Sequence, residues 1–114
     1  MANYRLRKTR IIKSPRHFNE IFGKGRRFSS EHFLLIVANA ESRKVGFAVS
    51  KKIRGAVRRN RAKRRTKELY RLKQDLLPKN IHLIVMAKPG VERAKSQVLT
   101  KEFISLVEKV NSAQ

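Results

Sequence analysis

The chain has 114 residues, which is the size of one compact domain with its own core, and we expect residues 1–114 to form a single domain. It contains no cysteine, which excludes disulfides, thiolate metal sites and a cysteine nucleophile. Its 29 Lys and Arg residues against 8 Asp and Glu give a net charge of +21, which predicts a polyanionic partner. No secretory signal is visible and the apolar runs are short, so we expect a soluble, cytoplasmic protein without a membrane or small-molecule partner.

The N-terminal part of the chain predicts a basic arm over residues 1–13, followed by a helix. Ser14 can cap the free amides of that helix, and Pro15 suits its first position. Gly23 and Gly25 end the segment. The apolar residues that recur at helical spacing between these bounds are Phe18, Ile21 and Phe22.

Two strands are predicted next, over residues 33–38 and 45–50, with residues 26–30 leading in. The second strand alternates in size, which places its large and small side chains on opposite faces. The large set, Val45, Phe47 and Val49, belongs in a core. The small set, Gly46, Ala48 and Ser50, leaves room for another group to approach.

The second half of the chain predicts a long helix over residues 56–77, a central strand over 81–87 and a last helix. The apolar stripe of the long helix comprises Ala62, Leu69, Leu72 and Leu76, with Val57 near its start. Ser96 could cap the last helix, whose inner face comprises Leu99, Phe103, Leu106, Val107 and Val110. The residues alone thus predict an α+β domain of order α-β-β-α-β-α.

No catalytic constellation is recognisable in the sequence. The eight acids are scattered, and the histidines at positions 17, 32 and 82 lie on different predicted elements without metal-ligand spacing. No glycine loop that could cradle a phosphate is present. We therefore predict no protein-borne catalytic residue, and the sequence identifies no metal ligand.

Residues 51–67 form a dense basic segment, in which ten of seventeen residues are Lys or Arg. On a helix, Arg59, Lys63 and Lys67 share one stripe, and like charges at that spacing repel one another. A solvated helix face would mix signs, yet Glu68 is the only acid between residues 45 and 74. RNA or DNA contact is favoured, and Asn60 adds a donor and an acceptor suited to a base or a 2′-hydroxyl.

Phe18 and Phe22 lie one helical turn apart and allow two interpretations. Aromatic rings stack on the bases of single strands, but two phenylalanines at this spacing more often face a core. Composition alone favours the core.

The motif Arg59-Asn60-Arg61, followed by Lys63-Arg64 and preceded by residues 49–52 and 56–57, resembles the protein subunit of bacterial ribonuclease P. The resemblance extends to residues 18–25, the arm and the strand over 81–87. It implies an α-β-β-β-α-β-α domain with a left-handed β-α-β crossover, against the usual right-handed preference. It also implies an endoribonuclease that removes the 5′ leader of precursor tRNA with Mg²⁺, in which the RNA subunit performs the chemistry.

The resemblance assigns two sets of residues to RNA. Those expected to contact the catalytic RNA are Arg58, Arg59, Asn60, Arg61, Lys63, Arg64 and Lys67. Those expected to line a cleft for the single-stranded leader are Phe18, Phe22, Ile36, Ser50, Lys51 and Lys52. Ile36 stands where members of the family often have Tyr. The alternatives are a small basic ribosomal protein and a protein that binds DNA or an anionic membrane.

Overall fold

The computed structural model describes residues 11, 12 and 14–113, so most of the predicted arm lies outside the described residues. The elements in chain order are α1 (Pro15–Lys24), β1 (Arg26–Ser29), β2 (Phe33–Asn39), β3 (Lys44–Val49), α2 (Ala56–Lys73), a 3-10 turn (Gln74–Leu76), β4 (Ile81–Ala87) and α3 (Ser96–Ser112). The order α-β-β-β-α-β-α implied by the resemblance is confirmed. The segment that the residues alone suggested only as a lead-in is a strand, β1.

The four strands form one mixed sheet in the order β1-β2-β4-β3. β2 pairs antiparallel with both β1 and β4, whereas β3 pairs parallel with β4. The central position predicted for β4 is confirmed. Because β3 and β4 are adjacent and parallel, α2 is the crossover of a β-α-β unit. The left hand of this crossover stays a prediction.

The two faces of the sheet are covered by different numbers of helices. α2 and α3 pack on one face over the larger core, whereas α1 crosses the other face over a smaller cluster. The alternation predicted for β3 is confirmed, because Val45, Phe47 and Val49 all point into the larger core. The smaller cluster under α1 is formed by Ile12, Ile21, Ile36 and Ile84.

The predicted start of α1 is confirmed, and of the two glycines expected to end it, Gly25 caps the helix whereas Gly23 lies within it. The Ser14 hydroxyl accepts a hydrogen bond of 3.3 Å from the His17 amide, and Pro15 opens the helix. At the other end the Gly25 amide donates to the Ile21 carbonyl oxygen at 2.8 Å. A Cβ on Gly25 would lie 2.6 Å from Cγ2 of Ile36, so only glycine lets the chain pass this close to β2.

The predicted apolar stripe of α2 is wrong at three positions. Val57, Leu72 and Leu76 are 81%, 43% and 50% exposed. The buried residues of α2 are Ala62, Thr66, Leu69 and Tyr70, which is a different helical phase. Burial of the polar Thr66 is possible because its hydroxyl donates to the Ala62 carbonyl oxygen at 2.8 Å, and Tyr70 packs edge-on against Phe47. The helix also ends earlier than predicted, with the 3-10 turn completing the segment.

The inner face predicted for α3 is confirmed, since all five of its residues are buried. The predicted cap is not, because Lys95 occupies the capping position and makes no side-chain cap. Ser96 is the first helical residue, and its hydroxyl oxygen accepts a hydrogen bond of 3.3 Å from Nη2 of Arg65. The Ser96 hydroxyl, which the sequence pattern assigned to capping, is therefore bound by the Arg65 guanidinium of α2 instead.

Candidate nucleic-acid interface

The arginines of the basic segment do not all face solvent. The guanidinium of Arg59 donates hydrogen bonds of 2.9 Å to the carbonyl oxygens of both Ser50 and Ile53. These bonds tie the loop after β3 to the start of α2. Arg59 is half-buried and largely committed to main-chain carbonyls, so its first role is to shape the loop.

A second set of side chains on α2 points outward. Asn60, Lys63 and Arg64 are exposed and, with Lys67, border a shallow depression of about 570 Å³. We call these four residues the outer stripe. Among the described residues no acid pairs with it, since nearby Glu68 instead accepts a 2.6 Å bond from Arg71. That hydrogen bond from Arg71 lowers the pKa of Glu68, which stays ionised. The outer stripe therefore offers cations and an amide to a ligand.

Two further arginines assigned by the resemblance, Arg58 and Arg61, are exposed on α2. Lys67 is half-buried, and its Nζ lies 5.7 Å from the centroid of the Phe47 ring. This contact with an aromatic face orients the Lys67 ammonium at the edge of β3.

On the opposite face of the sheet, α1 leaves one row of side chains open. The strand registers align Ser29, Leu34, Met86 and Ala48 across all four strands. We call these residues the open row. Leu34, Met86 and Ala48 are half-buried and Ser29 is exposed, although they belong to the face that α1 crosses. The open row is thus a largely apolar floor that the described part of the chain leaves uncovered.

Phe18 and Phe22 stand beside the open row. Their rings are nearly parallel, with centroids 6.4 Å apart and an interplanar angle of 17°. Both are half-buried, so each packs on the small cluster and still presents ring surface. Phe18 lies against Gly46, where a Cβ would be 3.0 Å from the ring. The small face predicted for β3 therefore makes room for Phe18 at Gly46, and only Ala48 lies in the open row.

Cations border the open row at both sides. Lys51 and Lys52 are exposed on the loop that follows β3. Lys88 follows β4, and because the two strands are parallel it lies at the same end of the sheet. The Lys88 ammonium donates to the Ser30 carbonyl oxygen at 2.6 Å and to the Ser29 hydroxyl. At the other side, the guanidinium of Arg27 lies 4.9 Å from the Phe22 ring centroid. The phosphates of a single-stranded nucleic acid lying on the open row could contact cations on both sides of it.

Two residues predicted for the cleft have different positions from those expected. Ile36 is 0% exposed beneath α1, so its side chain has no surface to offer a ligand and instead supports the helix. Ser50 is half-buried, and its hydroxyl accepts a 3.2 Å bond from the Lys52 amide, which shapes the lysine loop. The residues that sequence reasoning missed are Arg27, Leu34, Met86 and Lys88. Their alternation on the strands is visible in the sequence, but the alignment of the rows appears only once the strands are paired.

The resemblance implies Mg²⁺, and one group of described residues could be considered for it. Ligand atoms of Glu31, His32 and Glu102 lie within 4.8 Å of one another. The Glu102 carboxylate already accepts bonds of 2.7 Å from the Ser30 hydroxyl and the His32 amide, and contacts His32 Nδ1 at 2.9 Å. Burial raises the pKa of Glu102, but these hydrogen bonds outweigh burial and hold it below the ordinary value. Mg²⁺ requires free oxygen ligands in octahedral geometry, so this group does not fit it and instead ties the β1–β2 turn to α3.

The fold and these surfaces define a class: a small α+β nucleic-acid-binding protein with a cationic helix on one side and an aromatic, cation-bordered cleft on the other. No described helix is both long and apolar enough to cross a bilayer.

Comparison with known proteins gives the family. Residues 6–111 match the family model described as Ribonuclease P. The ribonuclease P protein component of Desulfotalea psychrophila is 34% identical over 108 residues, covering 93% of this chain and 90% of that protein. The corresponding protein of Dictyoglomus turgidum is 36% identical over 92 residues, covering 79% and 77%. This chain belongs to the ribonuclease P protein component family, and the ribosomal alternative is wrong.

Solved structures agree on the fold. The ribonuclease P protein of Thermotoga maritima superposes with a TM-score of 0.76 at 22% identity, covering 87% of this chain and 96% of that one. A mutant of the Staphylococcus aureus protein with defective mRNA degradation activity gives a TM-score of 0.79 at 22% identity, covering 91% and 90%. At this identity the likeness establishes the architecture of the domain.

Proposed function

We propose that this chain binds the catalytic RNA of ribonuclease P through α2 and the 5′ leader of precursor tRNA in the cleft beside α1. The holoenzyme would then remove the leader by endonucleolytic cleavage and so mature the tRNA 5′ end. The observation that carries the proposal is the open row, an apolar floor that residues 14–113 leave uncovered. The Phe18–Phe22 pair flanks this floor, and cations border it. Stacking rings beside phosphate-binding cations are the features that hold a single strand without reading its sequence.

The two surfaces suit two different RNAs. The outer stripe lies on α2, which covers one face of the sheet, and the open row lies on the face that α1 crosses. A convex cationic helix fits phosphates of a folded RNA, whereas an apolar cleft fits unstacked bases. One domain can therefore hold a structured RNA and a single strand at the same time, and its positive charge reduces the repulsion between them.

We propose that the RNA subunit carries the chemistry and holds the Mg²⁺ of the holoenzyme, in the cytoplasm where tRNA is made. The described carboxylates support this proposal, because in the only candidate cluster among the described residues, Glu31, His32 and Glu102, the Glu102 carboxylate already accepts hydrogen bonds from Ser30 and His32. Cleavage of precursor tRNA by the protein without RNA would overturn it.

The leader assignment is tested with Phe18. Phe18→Leu keeps apolar bulk over Gly46 but loses the stacking face, whereas Phe18→Ala loses both. We expect Phe18→Leu to weaken binding of leader-bearing precursor tRNA by roughly 1–3 kcal/mol while leaderless tRNA binds as before, because base stacking is lost. The holoenzyme is titrated with leader-bearing and with leaderless tRNA at fixed salt, and the unfolding of each variant is followed in urea. Equal weakening for both substrates would refute the cleft as the leader site.

A further inference from the structure

A long groove separates α2 from the chain segment that leads into α3. Its volume is about 1100 Å³, slightly above the usual range of small-ligand sites. One wall is the α2 stripe formed by Val57, Arg61, Arg64, Glu68 and Leu72. The other wall is residues 92–96 with the first turn of α3. This groove is distinct from the open row, which lies on the other face of the sheet.

The floor of the groove is apolar. Leu69 and Leu99 lie at its base, and both are buried members of the larger core. Four large hydrophobic side chains of the described residues are exposed, and two of them, Val57 and Leu72, line this groove. The sequence pattern assigned both to the core, yet the fold leaves them uncovered beside a cavity.

The rim of the groove is cationic. Arg61 and Arg64 project from α2, and Arg93 and Lys95 are exposed on the facing segment. Arg65 bridges the two walls, because its guanidinium donates to the Val91 carbonyl oxygen at 2.8 Å and to the Ser96 hydroxyl at 3.3 Å. Arg65 thus fixes the separation of the walls.

The two acids that line the groove have partners already. The Glu68 carboxylate accepts from Arg71 at 2.6 Å, and the Glu92 carboxylate accepts from the Gly90 amide at 2.9 Å. Backbone hydrogen bonds, its own amide first, lower the pKa of Glu92. The rim cations therefore remain available for an anion from outside.

The first turn of α3 adds to this preference. Lys95 at the capping position makes no side-chain cap, and the first turn contains no acid. The amides of a first helical turn have no partner within the helix, and they favour negative charge. An anion at this end of the groove would meet both those amides and the rim cations.

We propose that the groove binds one unpaired nucleotide of the ribonuclease P RNA, with its base on the apolar floor and its phosphate against Arg93, Lys95 and the start of α3. This inference rests on the proposed function, since it assigns a second contact with the same RNA. A duplex would present only phosphates and leave the apolar floor unused. The surplus of cations matches the charge of an RNA chain and favours it over an apolar peptide.

A single tryptophan reports on the groove, because the natural chain has none. Leu72→Trp places an indole on the exposed apolar part of the α2 wall, beside the floor, where a base bound in the groove quenches its fluorescence. Adenosine 5′-monophosphate, ribose 5-phosphate and adenosine are titrated separately against this full-length variant. We expect the nucleotide to bind at least about fivefold more tightly than either fragment, because stacking and phosphate contacts combine. Ribose 5-phosphate binding equally well would reduce the groove to a patch for anions, and stronger quenching by a poly-glutamate peptide would indicate a protein partner; either result overturns the proposal.

The holoenzyme gives the second readout, with a matched control. Arg93→Glu reverses a charge on the groove rim, and Lys79→Glu reverses an exposed charge before β4, at the opposite end of that strand from Lys88. We expect Arg93→Glu to weaken binding of ribonuclease P RNA about tenfold and Lys79→Glu much less, while the preference for leader-bearing substrate is unchanged. If the two reversals have equal effects while Lys63→Ala still weakens RNA binding, the groove proposal is refuted and the proposed function of α2 stands. If Lys63→Ala also has no effect, the proposed function of α2 fails instead.

Discussion

Nη1 of Arg59 donates a hydrogen bond of 2.9 Å to the carbonyl oxygen of Ser50, nine positions earlier in the chain. The same guanidinium reaches the Ile53 carbonyl oxygen, so one arginine of the basic helix holds the loop that carries Lys51 and Lys52. The dense positive charge of residues 51–67 therefore has two physical uses. Some of its cations shape the protein, and the others remain free for RNA.

Arg59→Ala is expected to lower the free energy of unfolding by roughly 1–3 kcal/mol, because two carbonyl groups lose a charged donor. Lys63→Ala, at an exposed position one turn later, should leave the stability unchanged within about 0.5 kcal/mol. Urea denaturation of both variants measures the difference. An Arg59→Ala protein as stable as the parent would mean that the loop does not depend on this guanidinium.

Lys63→Ala and Arg64→Ala should each flatten the salt dependence of binding to ribonuclease P RNA. The slope of log K against log salt is expected to fall by roughly 0.7–0.9 for each RNA phosphate that the variant no longer neutralises. Binding isotherms at several salt concentrations give the slope, with Lys79→Ala as the control for removing a positive charge elsewhere on the protein. Slopes that match the control would remove the outer stripe from the interface.

Gly25→Ala and Gly23→Ala should change the stability in opposite directions. A Cβ at position 25 would meet Ile36 Cγ2 at 2.6 Å and the Ile21 carbonyl oxygen at 2.8 Å, which should cost about 1–3 kcal/mol. A Cβ at position 23 would meet nothing within 4 Å inside α1, and should add about 0.5–1 kcal/mol through helix propensity. Thermal unfolding of the two variants tests this, and destabilisation of similar size in both would contradict the packing of α1 on β2.

The free energy of unfolding should fall as the pH drops below about 6.5, in part through His82. Burial first, and then the nearby charges of His17 and Lys44, hold the pKa of His82 below its ordinary value. The unfolded chain therefore binds more protons than the folded one in that range, so acid favours unfolding. The ring of His82 also shares a 2.9 Å hydrogen bond with His17.

Urea midpoints between pH 8 and pH 5 check this prediction, and His82→Gln is the matched variant. The variant should lose the part of the slope that belongs to His82. Below about pH 4.5, outside this range, both proteins should lose further stability through Glu102, since its pKa is depressed below the value of 4.5 that it has in the unfolded chain. An identical slope between pH 7 and pH 5 in the two proteins would show that His82 does not contribute.

Much of the fold could be predicted from local pattern. The cap and first proline of α1, the alternation of β3, the apolar run of β4 and the inner face of α3 all appear where their residues indicate. The phase of α2 could not be predicted, because Thr66 and Tyr70 are polar by composition. They become buried when the Thr66 hydroxyl bonds its own helix and the Tyr70 ring packs against Phe47 in the larger core. The buried face of α2 is therefore determined by tertiary contacts and not by the number of apolar residues on each face.

Three features could be identified from the sequence alone, because charge and residue type are local properties. They are the basic segment, the lack of a catalytic constellation and the motif around Asn60. The tertiary structure decided which arginines are free, since the carbonyl oxygens that engage Arg59 and Arg65 lie outside α2, in the loop after β3 and in the segment before α3. It also decided that Ile36 supports α1 while Leu34 and Met86 are left open, because the pairing of strands fixes which row a helix covers. The basic segment looks uniform in the sequence. Hydrogen bonds and burial in the folded chain give some of its residues a structural role and leave the others available for binding.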